Sequence, residues 1–160
     1  ESVSVDMGKS QILTLGGNTT PFVNQPITAK GITMNGTAVS MGNPHLVFFV
    51  ENAEKFDVAS VGSAFEHHPW FENRTNVEFA QILSPAKIRM RVWERGSGIT
   101  MACGTGACAT FAAAKECGLV NGKTTLVLDG GELQIENSST NGDVIMTGPA
   151  QTVFEGKIEI

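Results

Sequence analysis

Between Thr105 and Cys117 the chain offers almost no polar face. Ala107, Cys108, Ala109, Phe111, Ala112, Ala113 and Ala114 put apolar groups on every side until Lys115-Glu116. A helix that is apolar all round must be buried, and side chains this small let neighbouring strands approach its axis closely. The rest of the chain reads mostly as short strands, so the simplest packing is this helix threaded through a wrapped sheet. The expected class is α+β: a barrel-like mixed or antiparallel sheet around a central buried helix. At 160 residues, 41% hydrophobic and 17% charged, the chain has the material for one such globular unit.

The strand pattern is clearest at Lys87 to Trp93, where Ile88, Met90 and Val92 share one face and Lys87, Arg89 and Arg91 the other. Leu46 to Val50 is apolar on both faces and reads as a doubly covered strand. Ser2 to Val5 alternates. Gln25 to Ser40 reads as strand broken at Gly31 and Gly36. Thr125–Leu128 and Leu133–Ile135 flank a hairpin turn at Asp129-Gly130-Gly131. Asp143–Met146 and Thr152–Ile160 read as the closing strands. A second helix is predicted over Asn52 to His67, with Val58, Val61 and Phe65 on its buried face and Pro69 ending it.

A net charge of −5 argues against a nucleic-acid partner. No stretch nears the ~20 apolar residues that cross a bilayer, and the first ten residues lack the pattern of a secretory leader. The three cysteines stand outside any metal-ligand spacing and read as free thiols of a reducing compartment. The chain starts at Glu1 rather than at a methionine, which fits a piece of something longer.

Met101-Ala102-Cys103-Gly104-Thr105-Gly106 places a cysteine at the N-terminus of the buried helix. Unpaired N–H groups and the helix dipole favour an anion there, and a thiol so placed is expected to ionise more easily than a free one. Cys108 and Cys117, inside the helix, read as small hydrophobes. Gly42-Asn43-Pro44-His45 sets an amide and an imidazole at the mouth of a buried strand. Asn76 opens another strand, and Glu94-Arg95 ends the alternating one before a glycine-rich loop. Taken singly these are also ordinary turn and surface chemistry. His67 and His68 are adjacent, point differently and carry no expected function.

Taken together, and in this order, Gly42 to His45, Arg74 to Phe79, Glu94 to Gly98, Ala102 to Ala109 and Met146 to Ala150 resemble diaminopimelate epimerase over nearly the whole chain. The resemblance implies a cofactor-independent, metal-free, cytoplasmic isomerase of lysine and cell-wall precursor synthesis. It implies two pseudo-symmetric halves, each contributing one cysteine to a two-thiol inversion of an amino-acid α-carbon. By matching positions, Cys103 is catalytic with His45 and Glu94 assisting. Gly104 and Thr105 bind the α-carboxylate, and Asn43, Asn76, Glu94 and Arg95 bind the distal end of diaminopimelate. No second glycine-rich cysteine motif is present, so the chain resembles the C-terminal half, 1–151, and is expected to be inactive alone. Residues 152–160 are then expected to complete the missing half, and a homodimer is left open. Two departures from the family pattern, at Phe71 to Arg74 and Leu128 to Gly131, are expected to lie in loops outside the chemistry. Alternatives are a proline racemase or hydroxyproline epimerase, a non-catalytic carboxylate-binding module, or a thiol redox protein. The last would need Cys103 to reach a resolving cysteine, and Cys108 turns away from it on a regular helix.

Overall fold

The computed structural model describes residues 1–160. Eleven strands form one mixed sheet: β1 (Ser2–Asp6), β2 (Gln11–Ile12), β3 (Gln25–Ala29), β4 (Ile32–Ser40), β5 (Pro44–Phe49), β6 (Asn76–Ser84), β7 (Lys87–Glu94), β8 (Gly98–Ile99), β9 (Thr124–Leu128), β10 (Gly131–Asn137) and β11 (Val144–Pro149). The hydrogen-bonded order is β1-β11-β10-β9-β7-β6-β5-β4-β2, with β3 beside β4 and β8 beside β7. Only β5/β6 and β7/β9 are parallel. Each parallel pair needs a crossover, and the two helices supply them: α1 (Val58–Glu66) between β5 and β6, α2 (Gly104–Glu116) between β7 and β9.

The sheet curls around α2, which touches strands from β4 to β11. Its side chains from Gly106 to Ala114 are buried throughout. The barrel does not close, because β1 and β2 lie at opposite ends of the strand order and do not pair with each other. α1 packs on the outer face against β6 and β7. The alternation in β7 follows from this sandwiching. Ile88, Met90 and Val92 join the α2 core, while the Arg91 guanidinium donates outward to the carbonyls of Ala53 and Phe56 at 3.1 Å each. In β5, Leu46 and Phe48 face the α1 side, and Val47 faces the α2 side.

Three expectations change. The outer helix starts at Val58, not Asn52, because Asp57 caps it by accepting from the Ser60 N–H at 3.2 Å, while Asn52 caps only a turn at Lys55. Gly36 does not break β4. It leaves a flat spot on which Leu46 and Phe48 pack, with no room for a side chain: a Cβ there would lie 2.9 Å from each. Residues 150–160 form no strand and are exposed, pairing with neither end of the open sheet. No helix is long and apolar enough to cross a membrane.

α1 meets the sheet through Gly62, where a Cβ would fall 2.5 Å from the Trp93 Cβ. Gly62→Ala is therefore expected to destabilise the chain by about 1–3 kcal/mol through overpacking, despite a gain in helix propensity of about 1 kcal/mol. Denaturant midpoints check this; an unchanged or raised midpoint would mean α1 can back away from Trp93.

Candidate active site

Cys103 is the N-cap of α2, in extended backbone conformation, with its sulfur accepting from the Gly106 N–H at 3.3 Å. The next two N–H groups, of Gly104 and Thr105, belong to the first turn and have no intrahelical acceptor. The helix can sit this deep because residue 106 is glycine. A Cβ there would lie 2.7 Å from Glu78 Oε1 and 3.1 Å from Cys103 Sγ.

Around this helix start the chain builds one polar network. Thr105 Oγ1 lies 3.7 Å from Cys103 Sγ and accepts from Asn43 Nδ2 at 3.2 Å. With its nitrogen so committed, Asn43 offers Oδ1 to His45 Nε2 at 3.1 Å. His45 Nδ1 is hydrogen-bonded to Glu78 Oε1 at 2.6 Å, both side chains fully buried. Glu78 Oε2 is buried with no hydrogen-bond partner. Burial pushes the Glu78 carboxyl above its ordinary range, the charge and hydrogen bond of His45 pulling against it.

Sequence reasoning gave Glu78 no role, yet it is the buried carboxylate nearest the thiol. The signal was there: in β6 the period of two sets Asn76 and Glu78 on one face and Val77 and Phe79 on the other. Parallel pairing with β5 then matches His45 to Asn76 and Val47 to Glu78.

The expected ease of ionisation of Cys103 is reversed. Burial, followed by the nearby charge of Glu78, pushes the thiol up to about 11, and the hydrogen bonds from Thr105 and Gly106 only partly offset this. The helix terminus is real, but the sulfur sits too deep and too near carboxylates for the dipole to prevail. Cys108 is wholly buried, and its thiol is pushed up to about 12, chiefly by burial.

Arg95 and Asn76 form a second group joined to the first. The Asn76 amide spans two backbones, donating to the Pro44 carbonyl at 3.0 Å and accepting from the Arg95 N–H at 2.8 Å. The Arg95 guanidinium donates to the Asn73 carbonyl at 3.1 Å and borders a cavity of about 390 Å³ that Gly42, Pro44, Trp70 and Arg74 also line. Glu94, at the end of β7, accepts from the Thr100 hydroxyl and adds its charge to the field on Cys103. All eight expected residues thus share one neighbourhood, though the cavity lies beside Arg95 rather than over Cys103.

The two departures from the family pattern are not remote. Phe71 to Arg74 form one wall of that cavity. Gly130 donates its N–H to the Met101 carbonyl at 2.7 Å, two residues before the cysteine. Loop composition at these positions was not a guide to distance from the site.

Comparison with known proteins decides the family. A sequence model described as diaminopimelate epimerase matches residues 37–153. The chain belongs to the diaminopimelate epimerase family. It is 51% identical over 158 residues to the diaminopimelate epimerase of Moorella thermoacetica, covering 96% of this chain and 57% of that protein. It is 48% identical over 164 residues to that of Synechocystis sp., covering 99% and 59%. The chain thus spans a little over half the length of these relatives. Among solved structures, a hydroxyproline epimerase from Agrobacterium vitis with bound trans-4-hydroxy-L-proline matches with a TM-score of 0.66 at 15% identity, over 91% of this chain and 48% of that one. A predicted epimerase from Pseudomonas aeruginosa matches at 0.59 and 16%, over 96% and 59%. At such identities these two report a shared fold.

Holding Cys103 as a thiol has a direct readout. At about pH 8, Cys103 in the folded chain is expected to react with iodoacetamide about a hundredfold more slowly than in the unfolded chain. Peptide mass mapping separates it from Cys108 and Cys117. Equal rates would show that burial and the carboxylates do not restrain it.

Proposed function

We propose that this chain is the C-terminal half of a cofactor-independent diaminopimelate epimerase, interconverting the LL and meso forms. The observation that carries this reading is the sulfur of Cys103 capping α2 beside two free N–H groups, with the Arg95 guanidinium in the adjoining wall. An α-carboxylate seated on the N–H groups of Gly104 and Thr105 would present its α-carbon to Cys103. The helix terminus would also stabilise the charge that grows there as the α-proton leaves. Arg95 would take the distal carboxylate through its fork, with Asn43, Asn76 and Glu94 about the distal ammonium.

Inversion needs an acid and a base on opposite faces of the α-carbon. A thiolate on one face removes the α-proton and becomes a thiol. Cys103, entering as a thiol, gives its proton to the other face and becomes a thiolate; the reverse reaction restores both. Cys108 is sealed inside α2 and Cys117 caps the far end of the same helix, so neither can stand opposite Cys103. The second thiol is assigned to a partner half outside these 160 residues, and the isolated chain is inactive on this reading. His45 and Glu94 assist the proton chemistry of Cys103. Residues 152–160 complete the partner half's sheet. Phe154, Ile158 and Ile160 share one side of an extended strand and Glu155, Lys157 and Glu159 the other, and the three apolar residues are exposed here.

The complete gene product, incubated with LL-diaminopimelate in heavy water, is expected to exchange the α-proton with inversion. Cys103→Ala is expected to abolish inversion, and Arg95→Met to raise KM by at least tenfold with a smaller change in kcat. No exchange from folded, reduced complete protein would reject the substrate. Exchange of proline instead would move the reading to the proline-type enzymes.

A further inference from the structure

Outside the groups assigned so far, the most buried and best-connected carboxylate is Glu66, the last residue of α1. It is 4% exposed, and its two oxygens collect three donors. Oε1 accepts from Trp93 Nε1 at 2.8 Å; Oε2 accepts from Arg74 Nη1 at 2.8 Å and from the Gly96 N–H at 3.0 Å. The Glu66 carbonyl accepts from the Thr75 N–H at 3.1 Å. Burial alone would push this carboxyl up, but the bonds from Trp93 and Gly96 and the charges of His67 and Arg74 outweigh it and hold it below the ordinary carboxylate range. Glu66 is therefore an anion at neutral pH.

These donors come from the two segments that flank Arg95. Trp93 and Gly96 bracket it in sequence, and Gly96 turns the chain with φ +78°. Arg74 and Thr75 belong to the opposite wall, where Arg74 holds a φ of +64° that a non-glycine residue seldom adopts. Between them, Arg95 is tied to Asn73 and Asn76 of that same wall. Glu66 also takes the charge of Arg74, leaving Arg95 as the cavity's cation without a carboxylate partner. Glu66 does not line the cavity.

We propose that Glu66 is the positioning residue for distal-carboxylate recognition: it clamps the two loops together so that the Arg95 fork is fixed at one edge of the cavity. This rests on the proposed reading of Arg95 and adds a residue that decides discrimination between a substrate with a distal carboxylate and one without. A clamp of this kind acts on binding at Arg95 and not on the thiol, so its loss separates KM from kcat.

The test is Glu66→Gln in the complete protein, with LL-diaminopimelate as substrate and L-lysine, which has no distal carboxylate, as a competing ligand. The KM for diaminopimelate is expected to rise about tenfold, while kcat and the inhibition constant of lysine stay within about twofold of wild type. Adding Glu66→Gln to Arg95→Met is expected to change KM no further. A parallel rise for both ligands, or a fall in kcat with KM unchanged, overturns the proposal. If Glu66→Gln does not fold, Trp93→Phe removes one donor and keeps a ring against Gly62; it is expected to raise KM for diaminopimelate alone, and no rise overturns the proposal. If the wild-type protein lacks the epimerase activity, that failure belongs to the reading and the clamp is still decided on the 160-residue chain. Trypsin cleavage of the Arg95–Gly96 bond is expected to be at least tenfold faster in Glu66→Gln, and equal rates overturn it.

Discussion

A helix can be driven into the centre of a curled sheet only if its sides are thin. In α2 alanine, glycine, threonine and cysteine keep them thin, with Phe111 as the single large buried side chain. At Gly106 the approach is so close that any Cβ would collide with Glu78. From that contact the rest follows. The helix start is brought against β5 and β6, whose inward positions carry His45 and Glu78, and the sulfur of Cys103 becomes both the helix cap and the centre of the network. A bulkier helix would stand off the sheet and leave the thiol in water.

The depth that creates the site also sets its chemistry. In water a cysteine at a helix start is an activated nucleophile. Here desolvation and two carboxylates reverse that tendency, and the group sits as a proton donor. The charges that act on the sulfur are those of Glu78 and Glu94. The second group, around Arg95, is built on the outer layer by α1 and its loops, so on the proposed reading the thiol and the distal-carboxylate site rest on different helices.

Much of this was legible in the residues. The apolar circumference of α2 and the strict alternation of β7 follow from burial periodicity, and both elements fall where the pattern puts them. The ordered motifs placed the site at Asn43, His45, Asn76, Arg95 and Cys103, which the fold does bring together. What escaped was whatever depends on depth or on competing local bonds. The start of α1 was set by the Asp57 cap rather than by apolar spacing. The ionisation of Cys103 was decided by burial, which no spacing reveals. Glu66 and Glu78 look like surface charges in a string of letters and become buried acceptors only once α1 and β6 are packed. The tail shows the reverse: its strand pattern is plain in sequence, yet a strand exists only where it is hydrogen-bonded to a neighbour, and residues 150–160 pair with none.

The sheet's outer edge has a consequence for how the chain is made. β1 runs antiparallel to β11, with Ser2 opposite Pro149 and Asp6 opposite Ile145, so the first and last strands of these 160 residues pair with each other. The middle of the sheet, β4 to β7, is assembled from neighbours in sequence and can form while β1 is still waiting. Such a pairing carries nearly the largest loop-closure cost available to the chain. β1 is thus the strand expected to lock last, and until it does β11 is an open edge.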